Sequence, residues 1–211
     1  MGMGTVMAVE QGAPAFILAS TSASRQAMLK SANVPFEAMA PYVDEDELKI
    51  SLLAQKASPR AIADALAETK ALKISSRIPG ALVLGCDQVL SHGKAEMMDK
   101  PRSLEEARAH LELLAGKEHK LISAAVIAQN GKPVWRVVDT ASLTMRNFSP
   151  EFLDDYIARE GEALLTSVGC YRLEGLGSQL FSRINGDFFT ILGLPLLQVL
   201  EYLRERKVLL R

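Results

Sequence analysis

The stretch ILASTSASRQAML, Ile17 to Leu29, decides the class of fold. With Phe16 it begins as a short apolar run, a strand over Phe16 to Ala19. It then places hydroxyls at Ser20, Thr21, Ser22 and Ser24 before a helical pattern that carries Arg25. Thr21 or Ser22 caps that helix, which runs to about Lys30, where Asn33 and Pro35 stop it. A strand handing over to a capped helix is the building unit of an α/β domain.

The rest of the chain repeats this alternation. YVDEDEL, residues 42–48, reads as an acidic loop. Ser58-Pro59, a cap followed by proline at the first helical position, opens a helix to about Arg77, where IPG ends it. Ala81 to Leu84 reads as a buried strand that finishes at Gly85, Cys86 and Asp87, with a polar loop behind it. Ser103 and Glu106 have capping-box spacing, so a helix covers Leu104 to Leu114 and stops at Gly116. Leu121 to Ala128 and Val134 to Met145 form a β-hairpin through Asn130 and Gly131, with a loop a few residues longer than a minimal turn. Ser149-Pro150 starts a helix that ends near Gly161, and Leu194 to Arg206 closes the chain as an amphipathic helix. Residues 169–195 between them are glycine-rich and apolar, which predicts short strands and tight turns. With no repeat or linker, the expectation is one α/β domain over residues 15–211, with two lobes around a cleft, behind a loose tail at 1–14.

Composition removes several function classes. Hydrophobic residues make up 48% of the 211, enough for a sizeable core. With 24 Lys+Arg against 25 Asp+Glu, the net charge of -1 gives no field for duplex nucleic acid or an anionic membrane surface. No stretch approaches the ~20 apolar residues of a membrane span, and MGMGTVMAVEQGAPA does not read as a signal peptide. Cys86 and Cys170 lack any paired spacing, so they are expected as reduced, partly buried thiols of a cytoplasmic protein.

An anion bound by this chain must therefore be held locally, and the opening stretch offers the means. A helix N-terminus presents unpaired N–H groups and the positive end of a dipole. Ser20, Ser22 and Ser24 add hydroxyls, and Arg25 adds a forked cation. The alternative is that Thr21 and Ser22 only cap the helix and Arg25 is solvated. At ~100° per residue, Arg60, Asp64 and Glu68 share one face of the second helix, whereas Lys70 and Lys73 fall in the arc of Ile62, Leu66, Leu72 and Ile74. Either both lysine stems run along the core edge to water, or one ammonium enters an anion-lined cleft. Asp87, at a strand end, can bind a divalent metal, accept a proton from water or cap a turn. Lys100 in DKP and Glu45 in the acidic loop read as solvated charges or as further parts of such a site. His92, His110 and His119 have no metal spacing.

In order along the chain, these pieces resemble the Maf-like nucleoside triphosphate pyrophosphatase family, a group first linked to septum formation. LASTSASR resembles its opening, VDE its acidic loop, ALAETKA its lysine helix, LGCDQVL its aspartate segment, and DKP its GKP; GCYRLEG and INGDFFTILGLPL resemble its closing signature. The resemblance implies an elongated α/β domain with a mixed, twisted sheet, two lobes and a central cleft, in a family that includes homodimers. It implies hydrolysis of the α–β phosphoanhydride of a nucleoside triphosphate with help from magnesium or manganese. Asp87 then becomes the proton acceptor and a metal ligand, Glu45 the second metal ligand, and Ser20, Ser22, Arg25, Lys70 and Lys100 the triphosphate cradle.

The chain also departs from the family pattern. Ala23-Ser24-Arg25 stands where most members have Pro-Arg-Arg, so one arginine is missing. Members that prefer dTTP and UTP carry Arg, Thr and Gln at the positions of Ser24, Gln88 and Glu174. Gln88 and Glu174 instead resemble the subgroup that prefers 7-methyl-GTP, which usually has Trp where Ser24 stands. A carboxylate at Glu174 suits that substrate, because N7 methylation makes the base cationic and its Watson–Crick edge a stronger donor. A dTTP/UTP pyrophosphatase and a catalytically weak nucleotide-binding regulator of division are the competing expectations.

Overall fold

The computed structural model describes residues 13–211, so all but Ala13 and Pro14 of the expected tail lies outside the described residues. The chain forms a mixed seven-stranded sheet with helices on both faces. Strand β1 (Phe16–Ala19) leads into α1 (Ala23–Ser31), β2 (Glu37–Ala38), α2 (Glu45–Ala54) and α3 (Pro59–Ser75). Then come β3 (Leu82–His92), β4 (Glu96–Met98), α4 (Leu104–Leu114) and the hairpin of β5 (Glu118–Gln129) and β6 (Lys132–Met145). Helix α5 (Pro150–Glu160), β7 (Phe181–Asn185), α6 (Phe188–Ile191) and α7 (Leu196–Glu205) complete it, with 3-10 turns at Gly161–Thr166 and Leu176–Leu180.

The sheet order is β2-β1-β3-β5-β6-β7, with β4 on the β1 side of β3. Strands β1 and β3 run parallel, while β3, β5, β6 and β7 are antiparallel in turn. Because successive strand residues point to opposite faces, the two central strands are buried on both. Leu82, Leu84, Cys86, Ala125 and Ile127 pack under α1 and α7, whereas Val89, Ile122, Ala124, Val126 and Ala128 pack under α3. Further along the α1/α7 face, Leu90, Leu121 and Leu143 join α4 and α5 in a separate core. These two cores are the two lobes. The β3 and β5 residues that fall between them on this face are polar, Gln88 and Ser123.

Three local expectations are corrected. The segment after Asp44 is a helix: Asp44 accepts from Glu47 N at 3.0 Å, and Glu45, Asp46 and Glu47 complement the dipole in its first turn. Strand β3 continues through Asp87 to His92, because β5 supplies ladder partners along its whole length, so Asp87 is mid-strand. The hairpin turn is minimal: Asn130 (φ 52) and Gly131 (φ 72) are both left-handed, as a two-residue type I′ turn requires. The boundaries of α4 agree with the capping-box reading, Ser103 accepting from Glu106 N at 3.2 Å. Cys86 and Cys170 are free, as expected, but fully rather than partly buried.

The α4/α5 lobe contains a group that makes stability depend on pH. His119 is 1% exposed, its Nε2 lies 2.7 Å from the Tyr171 hydroxyl, and its Nδ1 has no hydrogen-bond partner among the described residues. Burial pushes its pKa down to about 4, with the charge of His92 acting the same way. The unfolded chain therefore binds this proton more readily than the folded one. The contribution is complete above the ordinary histidine pKa and is lost as pH falls towards the folded value. Between about pH 7 and pH 4.5 it should remove about 2–3 kcal/mol of unfolding free energy. Urea unfolding of the wild type and His119→Gln at both pH values checks this: the acid loss should be smaller in the variant by that amount, and equal losses would contradict it.

Candidate active site

The site occupies a gap in the hydrogen-bond ladder. On one edge of β3, β1 pairs with Leu82–Gly85 and β4 with Leu90–His92. Among the described residues no strand pairs on that edge with Cys86–Val89 between them. Asp87 lies in this window. The chain leaving β1 passes Ser20 to Arg25 on one side of it, and the antiparallel register of β4 brings Asp99 and Lys100 towards the other.

Below the window, α3 lies unusually close to the sheet. A Cβ on Gly85 would fall 2.1 Å from the Ala67 carbonyl oxygen and 2.6 Å from the Ala71 nitrogen, so only glycine lets helix and strand meet there. Lys70, between those two positions, consequently points its ammonium into the window. Its Nζ donates to Asp87 Oδ1 at 2.7 Å and pairs with Glu45 Oε2 at 2.8 Å. Lys70 is 6% exposed, while Lys73 is on the surface, so one of the two lysines in the apolar arc turns inward. Glu45 is the first residue of α2, and its side chain is half exposed.

Burial raises the pKa of Asp87 above the ordinary carboxylate range, while Lys70 and Arg25 pull it down and Glu45 adds a small upward push. A carboxylate so placed is a competent proton acceptor. The neighbouring Cys86 thiol is pushed up to about 11 by burial and stays protonated at neutral pH.

Above the window is the start of α1. Ser22 caps it, accepting from Arg25 N at 3.5 Å, and its hydroxyl lies 3.0 Å from Ser24 Oγ. Arg25 is not simply solvated: Nε donates to the Gly193 carbonyl at 2.9 Å and Nη1 to Ser20 Oγ at 3.4 Å. Its Nη2 has no hydrogen-bond partner among the described residues.

The structure thus gathers Ser20, Ser22, Ser24, Arg25, Glu45, Lys70 and Asp87 around one opening. Lys100 is exposed and, among the described residues, has neither a hydrogen-bond nor an ion-pair partner. Gln88 is on the opposite face of the strand from Asp87, and its Nε2 donates to Ser123 Oγ, the Thr190 carbonyl and the Ile191 carbonyl at 2.9, 3.1 and 3.0 Å. Glu174 is exposed in the α4/α5 lobe, near Arg172, and among the described residues has no hydrogen bond or ion pair with any of the others. Sequence reasoning missed Ser123, Thr190 and Gly193. A polar residue at mid-strand in each of two apolar strands, Gln88 and Ser123, is the signal that could have found the first of these.

The donor set also bears on a metal. Glu45 and Asp87 are hard oxygen donors that already converge on a cation, the Lys70 ammonium. Among the described residues no cluster of three or more His, Cys, Asp or Glu could hold an ion. Two carboxylates fit magnesium or manganese when phosphate oxygens and water complete the shell.

A family model described as Maf-like protein matches residues 15–206. A protein of Caulobacter vibrioides named nucleoside triphosphate pyrophosphatase is 57% identical over 187 residues, covering 89% of this chain and 93% of its own. One of the same name from Roseobacter denitrificans is 51% identical over 190 residues, covering 90% of this chain and 95% of its own. Among solved structures, a HAM1 protein from Coxiella burnetii matches 63% of this chain and 73% of its own, with 12% identity and a TM-score of 0.36.

Proposed function

The chain belongs to the Maf-like protein family, and on that premise we propose that it is a nucleoside triphosphate pyrophosphatase that cuts the α–β phosphoanhydride of its substrate. The observation that carries the reading is the Lys70 ammonium held between Asp87 and Glu45 in the β3 window, beside a serine-rich helix start with Arg25. Cations and a helix N-terminus suit an electron-rich phosphoryl transition state, which needs positioned charge more than covalent chemistry.

Asp87 Oδ accepts a proton from the attacking water as its oxygen bonds to the α-phosphorus. The bond from that phosphorus to the α–β bridging oxygen breaks, releasing nucleoside monophosphate and pyrophosphate. Ser20, Ser22, Arg25, Lys70 and Lys100 hold the triphosphate. Glu45 and Asp87 would hold magnesium or manganese, which would supply further charge neutralisation at the phosphates. Two buried free thiols are consistent with work in the reducing cytoplasm.

For the base we favour 7-methyl-GTP among modified nucleotides, on the strength of the family markers at Gln88 and Glu174, the first of which turns its amide nitrogen to the fold rather than to the base. Glu174 would accept from the Watson–Crick edge, while Ser24 supplies no aromatic surface for stacking. Pyrophosphate release from 7-methyl-GTP, dTTP, UTP, CTP, ITP and the common purine triphosphates, with metal and with chelator, tests both levels. Metal-dependent turnover led by 7-methyl-GTP is expected, and Glu174→Gln should lower that preference by roughly tenfold, the worth of one charged hydrogen bond. Selectivity for dTTP or UTP would overturn the base assignment. Nucleotide binding without turnover by folded protein would point to a regulator instead.

A further inference from the structure

The chain's polar residues between the two lobes form a continuous set of hydrogen bonds that the proposed reaction does not use. Thr190 is its hub and is fully buried. Its N–H donates to Asp187 Oδ2 at 2.8 Å and its hydroxyl to Asp139 Oδ2, on β6, at 2.7 Å. Its carbonyl accepts from Ser123 Oγ at 2.7 Å and from Gln88 Nε2 at 3.1 Å. Every polar atom of Thr190 therefore has a partner, and strands β3, β5 and β6 all contribute to fixing α6.

The residues that follow α6 are those that meet the anion-binding end of the site. The Leu192 carbonyl accepts from Ser24 Oγ at 3.3 Å, and the Gly193 carbonyl from Arg25 Nε at 2.9 Å. Gly193 has φ 100, and a Cβ there would lie 3.5 Å from both Nε and Nη2 of Arg25. The carbonyl that orients the guanidinium is thus three residues from a threonine clamped to three strands.

Gln88 belongs to the same device. An amide nitrogen carries two hydrogens, and Gln88 Nε2 already faces three acceptors. It has no donor left for a nucleobase.

We propose that the Asp139–Thr190–Gln88 chain is a positioning device: it sets the Gly193 carbonyl, and through it the Arg25 guanidinium, and so governs the hold on the triphosphate irrespective of the base. This rests on the reading of Arg25 as a triphosphate ligand. It gives Gln88 Nε2 a structural duty, leaving base recognition to other groups.

Inorganic tripolyphosphate, a probe without a base, separates the two duties of the segment. Thr190→Val removes the hydroxyl donor at similar volume. Asp139→Ala removes its acceptor from a half-buried position on β6 and carries the test where the first variant does not fold. Both should weaken calorimetric binding of tripolyphosphate by roughly tenfold, and raise KM for every accepted nucleotide by the same factor with kcat nearly unchanged. Thr190→Ser, which keeps the hydroxyl, should restore both. Unchanged tripolyphosphate affinity in folded variants, or a KM change confined to one base, would overturn the proposal, as would a wild type that does not bind tripolyphosphate. A wild type that binds tripolyphosphate but releases no pyrophosphate from any nucleotide would remove the enzyme reading, and the affinities of the variants would still decide this one.

Discussion

Asp87→Asn should lower pyrophosphate release by roughly 10²–10⁴-fold, the usual contribution of a positioned general base. The substitution keeps a carbonyl oxygen for the Lys70 ammonium, which now lies 2.7 Å from Asp87 Oδ1, and retains the Glu45 pair at 2.8 Å. It also removes a carboxylate whose burial raises its pKa. The fold should survive, with a melting temperature within a few degrees of wild type. Initial-rate pyrophosphate release, measured beside a thermal melt, checks both halves. A folded variant with wild-type turnover would remove Asp87 from the mechanism.

Gly85→Ala should damage both the fold and the activity. The added methyl meets backbone atoms, Ala67 O at 2.1 Å and Ala71 N at 2.6 Å, so no side-chain rotation relieves the clash and α3 must move away from β3. Overpacking of this kind costs about 1–3 kcal/mol, and backbone contacts place it at the upper end. In a chain of this size about 3 kcal/mol lowers the melting temperature by roughly 6–12 °C. Lys70 moves with the helix, so turnover should fall even at temperatures where the variant remains folded. A melting temperature within a degree of wild type would show that the helix and strand do not need this contact.

Much of the fold was legible because its elements announce themselves locally. Ser103 and Glu106 mark the start of α4, and Ser58-Pro59 that of α3, through interactions within one helical turn. Helix α2 was not legible because its apolar residues are spread around it: Leu48 and Leu52 pack on the core under α3, whereas Ile50 and Leu53 are exposed. The length of β3 was hidden for a different reason: Asp87 and Gln88 interrupt its apolar run, and their place in a strand follows from pairing with Ala124 and Ser123.

The same distinction divides the candidate site. Arg25, Lys70 and Asp87 stand out as charges within apolar or capping patterns. That Lys70 rather than Lys73 turns inward depends on where α3 crosses the sheet, which Gly85 sets and which no helical projection of α3 reveals. Gly193 and Thr190 carry no such mark. Their part in the site comes from contacts with residues far away in the chain, between elements whose adjacency only the folded topology establishes.

The bond between Arg25 and Gly193 spans 168 residues, whereas that between Lys70 and Asp87 spans 17. During synthesis both partners of the Lys70–Asp87 bond are present once β3 has left the ribosome, but the guanidinium has only Ser20 Oγ to rest on until Gly193 emerges. A nascent chain thus holds the partners of its lysine–carboxylate pair long before the carbonyl that orients its guanidinium. The orientation of Arg25 is thereby among the last features of the opening to be fixed as the chain is made.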